Sequence, residues 1–284
     1  MQLETTKIPA RDGAQIHTLL AFPDDAPRGI VIVNHGFGEH SGSYAELLEQ
    51  LTAAGYLAAI FDHRGHGEMN EPDPKKREKL RGVLPDYQSF LDDIGDVAAA
   101  LMARCPGLPL ALYGHSMGGN IAVNYLLQTE GHPFSCAILE SPWLGLCNPV
   151  SPAVAGLAKF LGKISPKFAI YNKLSYSDIT SEPKSADALE KDPLYHNRIS
   201  FRMFAGINAG CAHALEGAAK LTTPTYLAYA ADEKIVCNTA IESFGRDSGD
   251  NVSLHPYASH HAIHSDINRA QYYQDILAFL DANL

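Results

Sequence analysis

Short strand-like stretches alternate with helix-like stretches over most of the 284-residue chain. The stretch "RGIVIVNH" (28–35) is rich in β-branched residues and has no polar face, which is typical of a strand buried on both sides. The stretch "YQSFLDDIGDVAAALMARC" (87–105) is amphipathic with the period of a helix. Because this strand–helix order repeats, we predict an α/β fold with a mostly parallel central sheet and helices on both faces.

One region interrupts the alternation. Residues 143–207 contain prolines and apolar helix-like pieces but little strand pattern, and they separate the strand-like stretches 135–141 and 225–232. We therefore predict a core formed by residues 1–142 and 208–284, with residues 143–207 inserted on the sheet.

Composition and charge exclude several classes of protein. The net charge of −10 argues against nucleic acid as the partner. The five cysteines are scattered without CxxC spacing, which favours neither a disulfide framework nor a zinc site. The first residues lack a signal-peptide pattern, and no apolar run is long enough for a membrane span. These features predict a cytoplasmic globular protein.

The segment Gly114-His115-Ser116-Met117-Gly118 fits the pattern G-x-S-x-G between a strand-like and a helix-like stretch. A sharp turn at this point needs small neighbours, and it places the serine hydroxyl at a helix N-terminus. A turn-forming serine is the alternative for an isolated match. In this context we interpret Ser116 as a nucleophile.

Acyl transfer by a serine also needs N–H donors for the developing oxyanion. The N–H of Met117, the residue after the nucleophile, is one candidate. The loop "NHGFGEHSGSY" (34–44) follows a strand and offers the N–H of Phe37 as the second.

A serine nucleophile needs a histidine base and an acid that orients it, in the chain order Ser, acid, His. Asp232 lies at the end of the strand-like "TYLAYAAD" and is the candidate acid, with Glu140 as its rival. The candidate bases in the loop "ASHHAIH" are His260, His261 and His264. Their spacing, without a helix or a further ligand cluster, is weak evidence for zinc, and we predict no metal site.

The motifs "NHGFGEHSGSY", "FDHRGHG" and "YGHSMGG" together resemble those of the monoacylglycerol lipase and lysophospholipase branch of the α/β-hydrolases. The resemblance implies an α/β-hydrolase fold with a helical cap and with neither a metal nor an organic cofactor. The residues at the family's catalytic positions are Ser116 as nucleophile, Asp232 as acid and His261 as base, with Phe37 and Met117 as oxyanion donors. His261 is preferred because the family's histidine opens an H-x-x-H segment.

The resulting hypothesis is a serine hydrolase that cleaves carboxylic esters of single-chain lipids through an acyl-enzyme. A short-chain or aromatic carboxylesterase, a thioesterase and an aminopeptidase are alternatives on the same fold. A non-catalytic binding scaffold is a further alternative, but it would have little reason to keep a nucleophile, an acid, a histidine and an oxyanion loop.

Four residues are candidates for substrate binding. His35 and His115 adjoin the predicted oxyanion loop and nucleophile. Leu157 and Leu161 belong, with Val154 and Ala158, to an apolar stripe in the helix-like "PAVAGLAKFLGKISPKF" (152–168), which also carries lysines. We expect this stripe to line an acyl tunnel and the lysines to allow transient contact with a membrane surface. A helix that only packs its stripe on the core is the alternative.

Overall fold

The computed structural model describes residues 1–68, 73–172 and 174–284. The strands in this part of the chain are β1 (Gln2–Pro9), β2 (Gln15–Phe22), β3 (Ile30–Asn34), β4 (Leu57–Phe61), β5 (Leu110–His115), β6 (Phe134–Glu140), β7 (Ala169–Tyr171), β8 (Arg198–Ser200), β9 (Thr225–Ala230) and β10 (Val252–Tyr257). The α-helices are α1 (Ala45–Ala53), α2 (Pro74–Leu80), α3 (Gln88–Arg104), α4 (Met117–Gln128), α5 (Pro152–Ile164), α6 (Tyr176–Ile179), α7 (Pro183–Lys191), α8 (Phe201–Gly217), α9 (Asn238–Asp247) and α10 (Arg269–Asn283).

The main sheet has the strand order β1-β2-β4-β3-β5-β6-β9-β10. Strand β2 is antiparallel to both of its neighbours, and every pair from β4 to β10 is parallel. The parallel strands therefore bring the segments that follow them to one edge, where sheets of this kind place their sites. The predicted α/β fold is confirmed.

The central strands are buried on both faces, as their lack of a polar face predicts. On β3, Ile30 and Ile32 contribute to one apolar layer, and Val31 and Val33 contribute to the opposite layer. Helices α1 and α10 cover the second layer, whereas α3, α4 and α8 cover the first. A residue period of two along each strand produces this division.

The segment between β6 and β9 contains α5 to α8 and a two-stranded antiparallel sheet of β7 and β8. Helix α5 packs closely on α8, since a Cβ atom on Gly162 would lie 3.0 Å from the Cα atom of Arg202. Helix α8 then continues onto the core, where the side-chain amide of Asn124 on α4 donates to the carbonyl oxygen of Gly210 over 3.0 Å. The boundary predicted at residue 207 thus falls inside α8, which contacts both the inserted segment and the core.

In the polar stretch 66–82, His66 is buried, whereas the short helix α2 has no buried residue. Residues 69–72 of this stretch lie outside the described part of the chain. Among the described residues, no helix combines the length and the apolar character needed to cross a membrane.

Candidate active site

Ser116 lies at the turn between β5 and α4 with a φ of 52° and a ψ of −114°. A positive φ is uncommon for a residue with a Cβ atom and indicates backbone strain that the surroundings must hold. Glycines permit the turn: a Cβ atom on Gly118 would lie 2.2 Å from the carbonyl oxygen of Asn34. The N–H of Ser116 also donates to the carbonyl oxygen of Glu140 on β6 over 2.9 Å. The serine side chain is thereby fixed at the carboxyl edge of the sheet.

Ser116, His261 and Glu233 form a continuous hydrogen-bonded chain. The hydroxyl of Ser116 donates to Nε2 of His261 over 2.8 Å. The Nδ1–H of His261 donates to a carboxylate oxygen of Glu233 over 2.7 Å. A hydroxyl, an imidazole and a carboxylate in this order can activate a serine for nucleophilic attack.

The structure brings His261 to Ser116 but does not bring Asp232 to His261. The side chain of Glu233 is 1% exposed against the imidazole, whereas Asp232 is exposed to solvent. Both acids follow β9 in a turn, and only Glu233 is directed toward the histidine. The prediction of Asp232 as the acid is wrong for this geometry, and Glu233 takes that position.

Glu233 is held by its own turn. One carboxylate oxygen accepts the backbone N–H groups of Lys234 and Ile235 over 2.9 and 2.8 Å, while the other faces His261. Burial raises the pKa of Glu233, but the contact with His261 outweighs burial and leaves that pKa below its usual value. Burial likewise lowers the pKa of His261, but the Glu233 carboxylate outweighs burial and the net pKa is raised. The pair therefore favours a carboxylate next to a histidine that accepts a proton readily.

Two backbone N–H groups near Ser116 are free. Neither that of Phe37 nor that of Met117 has an acceptor within the described residues. Met117 is the first residue of α4, where the helix dipole favours negative charge. The ring of Phe37 is fixed by an edge-on contact with Trp143, with 6.4 Å between ring centroids. Both groups are available as hydrogen-bond donors.

His35 and His115 differ in what they contact. The Nδ1–H of His35 donates to the carbonyl oxygen of Gly36 over 2.8 Å, and its Nε2 accepts the N–H of His63 over 3.0 Å. Both ring nitrogens of this fully buried side chain are hydrogen-bonded to backbone groups, which leaves neither for a substrate. The expectation that His35 binds substrate is therefore wrong. His115 lines the cavity beside Ser116, with its ring centroid 4.9 Å from that of His261.

A cavity of about 660 Å³ opens above Ser116 and His261. Its size lies within the range of about 300–1,000 Å³ that is usual for small-molecule sites. The wall formed by the inserted segment is largely apolar and includes Val150, Val154, Ala158, Ile170, Leu174, Ile179, Ile199 and Phe204. Asp178 and Lys234 add a charged pair, 3.8 Å apart. An apolar group of considerable length fits this space.

Helix α5 lines the cavity with only part of the predicted stripe. Val154 and Ala158 line the cavity, whereas Leu157 and Leu161 do not. Leu157 is 55% exposed and lies one turn from the exposed Phe160, while Leu161 is half-buried, one turn beyond Ala158. The expectation that Leu157 and Leu161 bind substrate is therefore wrong, because only the Val154 and Ala158 positions of the stripe reach the cavity.

The outer face of α5 and the segment after it form an exposed apolar patch. Its members are Leu157, Phe160, Ile164, Phe168 and Tyr171. Lys159, Lys163 and Lys167 are exposed among them. We refer to these eight residues as the cap patch.

Glu140, the rival acid, faces a different histidine. Its carboxylate accepts the Nδ1–H of His264 over 3.0 Å and lies 3.7 Å from Nδ1 of His115. A second buried acid, Glu39, lies in the loop after β3 and was not singled out from the sequence. The ligand-type atoms of His115, Glu140 and His264 lie within 4.8 Å of one another, and the direct contact of Glu140 with His264 accounts for most of that closeness.

A sequence model of the family described as "Serine aminopeptidase, S33" matches residues 25–268. The chain belongs to this family. It is 32% identical over 222 residues to the monoacylglycerol lipase of Mycolicibacterium smegmatis, which covers 75% of this chain and 73% of that protein. It is 28% identical over 260 residues to phospholipase YtpA of Bacillus subtilis, with 90% and 96% of the two chains covered.

Among solved structures, the chain is similar to a soluble variant of the Saccharomyces cerevisiae monoglyceride lipase in complex with a substrate analogue. The TM-score is 0.84 at 25% identity, with 100% of this chain and 98% of that chain covered. The α/β-hydrolase fold and the resemblance to the monoacylglycerol lipase branch are confirmed, and the chain is a carboxylic ester hydrolase of that branch.

Proposed function

We propose that this protein hydrolyses esters of single-chain lipids, such as monoacylglycerols or lysophospholipids, with Ser116, His261 and Glu233 as its catalytic triad. The observation that carries the proposal is the hydrogen-bonded chain from Ser116 through His261 to Glu233 at the floor of an apolar cavity. A triad alone fits any ester, whereas the apolar wall favours a substrate with one acyl chain.

In the acylation step, Nε2 of His261 takes the hydroxyl proton as Oγ of Ser116 bonds to the ester carbonyl carbon. The carbonyl oxygen becomes an oxyanion and accepts hydrogen bonds from the N–H groups of Phe37 and Met117. The intermediate then collapses, the bond to the alcohol oxygen breaks, and the alcohol leaves with the proton from His261. The Glu233 carboxylate stabilises the imidazolium in between.

In the deacylation step, His261 takes a proton from water as the water oxygen attacks the acyl carbon of the Ser116 ester. Collapse of the second intermediate returns that proton to Oγ of Ser116 and releases the fatty acid. The cycle consumes one water molecule and returns the enzyme to its starting state.

A substrate panel tests the proposal. We expect kcat/KM for p-nitrophenyl esters to rise from acetyl to octanoyl or longer, and turnover of monoacylglycerol or lysophospholipid. An aminoacyl p-nitroanilide tests the peptidase alternative and should not be cleaved. A preference for acetyl over every longer ester, or cleavage of the anilide at a higher kcat/KM than any ester, would contradict the proposal.

The lining of the cavity can be tested by two matched variants of α5. Val154 is 51% exposed and lines the cavity, whereas Leu157 is 55% exposed and does not line it. We expect Val154→Asp to lower kcat/KM for octanoyl esters about tenfold, since each methylene that loses apolar contact costs about 0.8 kcal/mol. Acetyl esters should change less than twofold, and Leu157→Asp should change neither. Equal losses on acetyl and octanoyl esters would contradict this assignment.

We further propose that the cap patch touches membrane surfaces transiently during catalysis. Its exposed apolar side chains could enter the headgroup region while its lysines meet anionic lipids. Leu157→Asp should then lower turnover of monoacylglycerol in vesicles but not of soluble esters. Charge reversal at Lys159 and Lys163 should weaken binding to phosphatidylserine vesicles by about 1 kcal/mol per residue and leave binding to neutral vesicles unchanged. Unchanged vesicle turnover in Leu157→Asp would contradict the membrane role.

A further inference from the structure

Two carboxylates lie in the interior behind the candidate site. Glu140 has no exposed surface, and Glu39 is 5% exposed. Within the described residues, no lysine or arginine nitrogen lies within 4.0 Å of either carboxylate. An uncompensated pair of buried carboxylates would be very costly, so a bound proton or a nearby positive charge must balance them.

His264 is placed to supply that charge. Its backbone N–H donates to Glu140 over 2.9 Å, and its ring Nδ1–H lies 3.0 Å from both oxygens of the same carboxylate. The ring of Tyr44 stacks on the His264 ring at a centroid distance of 4.6 Å, and the Tyr44 hydroxyl donates to Glu39 over 2.5 Å. The imidazole thus contacts Glu140 directly and is linked to Glu39 through Tyr44.

We propose that His264 is a buried imidazolium that balances Glu39 and Glu140, and that the ion pair of His264 and Glu140 positions His261 and controls its proton affinity. The inference rests on the proposed function, because it assigns a role toward the base of that reaction. It makes His264 and Glu140 positioning residues, since neither contacts the hydroxyl of Ser116.

The positioning part follows from the way Glu140 joins two elements. Its backbone carbonyl oxygen accepts the N–H of Ser116 at the nucleophile turn. Its carboxylate holds His264, three residues after His261 in the same loop. One residue therefore fixes both partners of the Ser116–His261 hydrogen bond.

The electrostatic part follows from the distances between the rings. The ring centroid of His115 lies 4.9 Å from that of His261 and 5.1 Å from that of His264. The rings of His261 and His264 are therefore at most about 10 Å apart. Burial lowers the pKa of His115 to about 4, which leaves it neutral at pH 7. Burial also lowers the pKa of His264, but the Glu140 carboxylate outweighs burial and the net pKa is raised.

Other ionisable groups face this cluster from each packed element. They are Glu39, Tyr44 and Glu46 before and on α1, Tyr113 and His115 on β5, Glu140 on β6, Glu233 after β9, and Tyr272 and Tyr273 on α10. Burial raises the pKa of each of these tyrosines, so they stay neutral at pH 7. Glu39, Glu46, Glu140 and Glu233 supply negative charge, and His264 supplies the positive charge that opposes it.

The sign of the effect can be tested with neutral substitutions. Removing the charge of His264 leaves Glu39 and Glu140 unbalanced, which stabilises the protonated form of His261. The acidic limb of the pH profile of kcat/KM should therefore move to higher pH in His264→Gln, by about one unit for a charge at about 10 Å and an effective dielectric constant of about 20. Glutamine keeps a hydrogen-bond donor for Glu140, so activity well above the limb should return to within about threefold of wild type.

The matching variants separate charge from packing. In Glu140→Gln the acidic limb should stay in place or move to lower pH, and in the double variant it should return to within about 0.3 unit of wild type. His255→Gln, a histidine substitution on β10, is the control and should shift nothing. The substrate is soluble p-nitrophenyl butyrate, and a fluorophosphonate titrates the active sites of each preparation.

The inference would be overturned if His264→Gln folds, reacts with the fluorophosphonate and keeps the acidic limb of its kcat/KM profile at the wild-type pH. Equal upward shifts of that limb in the single and double variants would also overturn it. If the variants do not fold, the ring ¹⁵N shifts of His264 in the wild-type protein decide: an imidazolium at pH 8 supports the inference, and a neutral ring overturns it. Failure of the proposed function is a separate result, because the wild-type protein would then neither react with the fluorophosphonate nor cleave the ester.

Discussion

Replacement of Ser116 by alanine is expected to lower kcat for p-nitrophenyl butyrate by about 10⁶-fold, the scale found when a serine hydrolase loses its nucleophile. The hydroxyl that forms the acyl-enzyme is then absent, and no other side chain accepts a hydrogen bond from or donates one to Nε2 of His261 among the described residues. The residual rate should come from binding and from the free N–H groups alone. Steady-state kinetics with purified protein measure the effect.

The fold should not depend on this hydroxyl, because alanine is nearly isosteric with serine at the turn. The thermal midpoint of Ser116→Ala should therefore lie within a few degrees of wild type. A variant that keeps a tenth of the wild-type kcat would show that Ser116 is not the nucleophile.

The second large effect concerns the two adjacent acids. Glu233→Gln is expected to lower kcat by about 10⁴-fold, since a neutral amide does not stabilise the imidazolium and can select the wrong tautomer of His261. Asp232→Asn is the matched control, one residue earlier and exposed to solvent, and its kcat should stay within about threefold of wild type. Both constants come from the same ester assay.

The relative kcat of these two variants decides whether Asp232, predicted from the sequence, or Glu233, which contacts His261, is the acid. A severe loss in Asp232→Asn with an active Glu233→Gln would restore Asp232 as the acid. Partial recovery in Glu233→Asp would not contradict the assignment, because a shorter carboxylate can still reach His261 through a small movement of the loop.

The sheet, the nucleophile turn and the loop of His261 could be predicted because their signals are local. The pattern of β3 reports burial on both faces, and the glycines around Ser116 report a turn that allows no Cβ atom at Gly118. Likewise, the end of β9 marks the region of the acid. Each of these signals depends only on residues that are close to one another in the sequence.

The choice between the two acids could not be predicted because it depends on side-chain direction. Asp232 and Glu233 share the same strand end, and the turn that follows β9 aims only the second toward His261. The sequence offers no signal for this choice, since the hydrogen bonds from the N–H groups of Lys234 and Ile235 to Glu233 depend on the conformation of the turn.

The cap residues were mispredicted for a related reason. Period and apolar content correctly indicate that 152–164 is an amphipathic helix, now α5. They do not show which members of the stripe reach the cavity, because that depends on how α5 lies over Ser116. Val154 and Ala158 line the cavity, and Leu157 faces outward. The cytoplasmic location and the cap boundaries stay predictions.

The central claim is that Ser116 is an activated nucleophile, and covalent labelling tests it most directly. Wild-type protein should react with a fluorophosphonate within minutes at pH 8, gain the mass of one phosphonyl group, and carry that group on Ser116 in the peptide map. Ser116→Ala should gain no mass under the same conditions, and Glu233→Gln should react far more slowly than Asp232→Asn. A wild-type protein that stays unmodified, or that carries the phosphonyl group on another residue, would contradict the account.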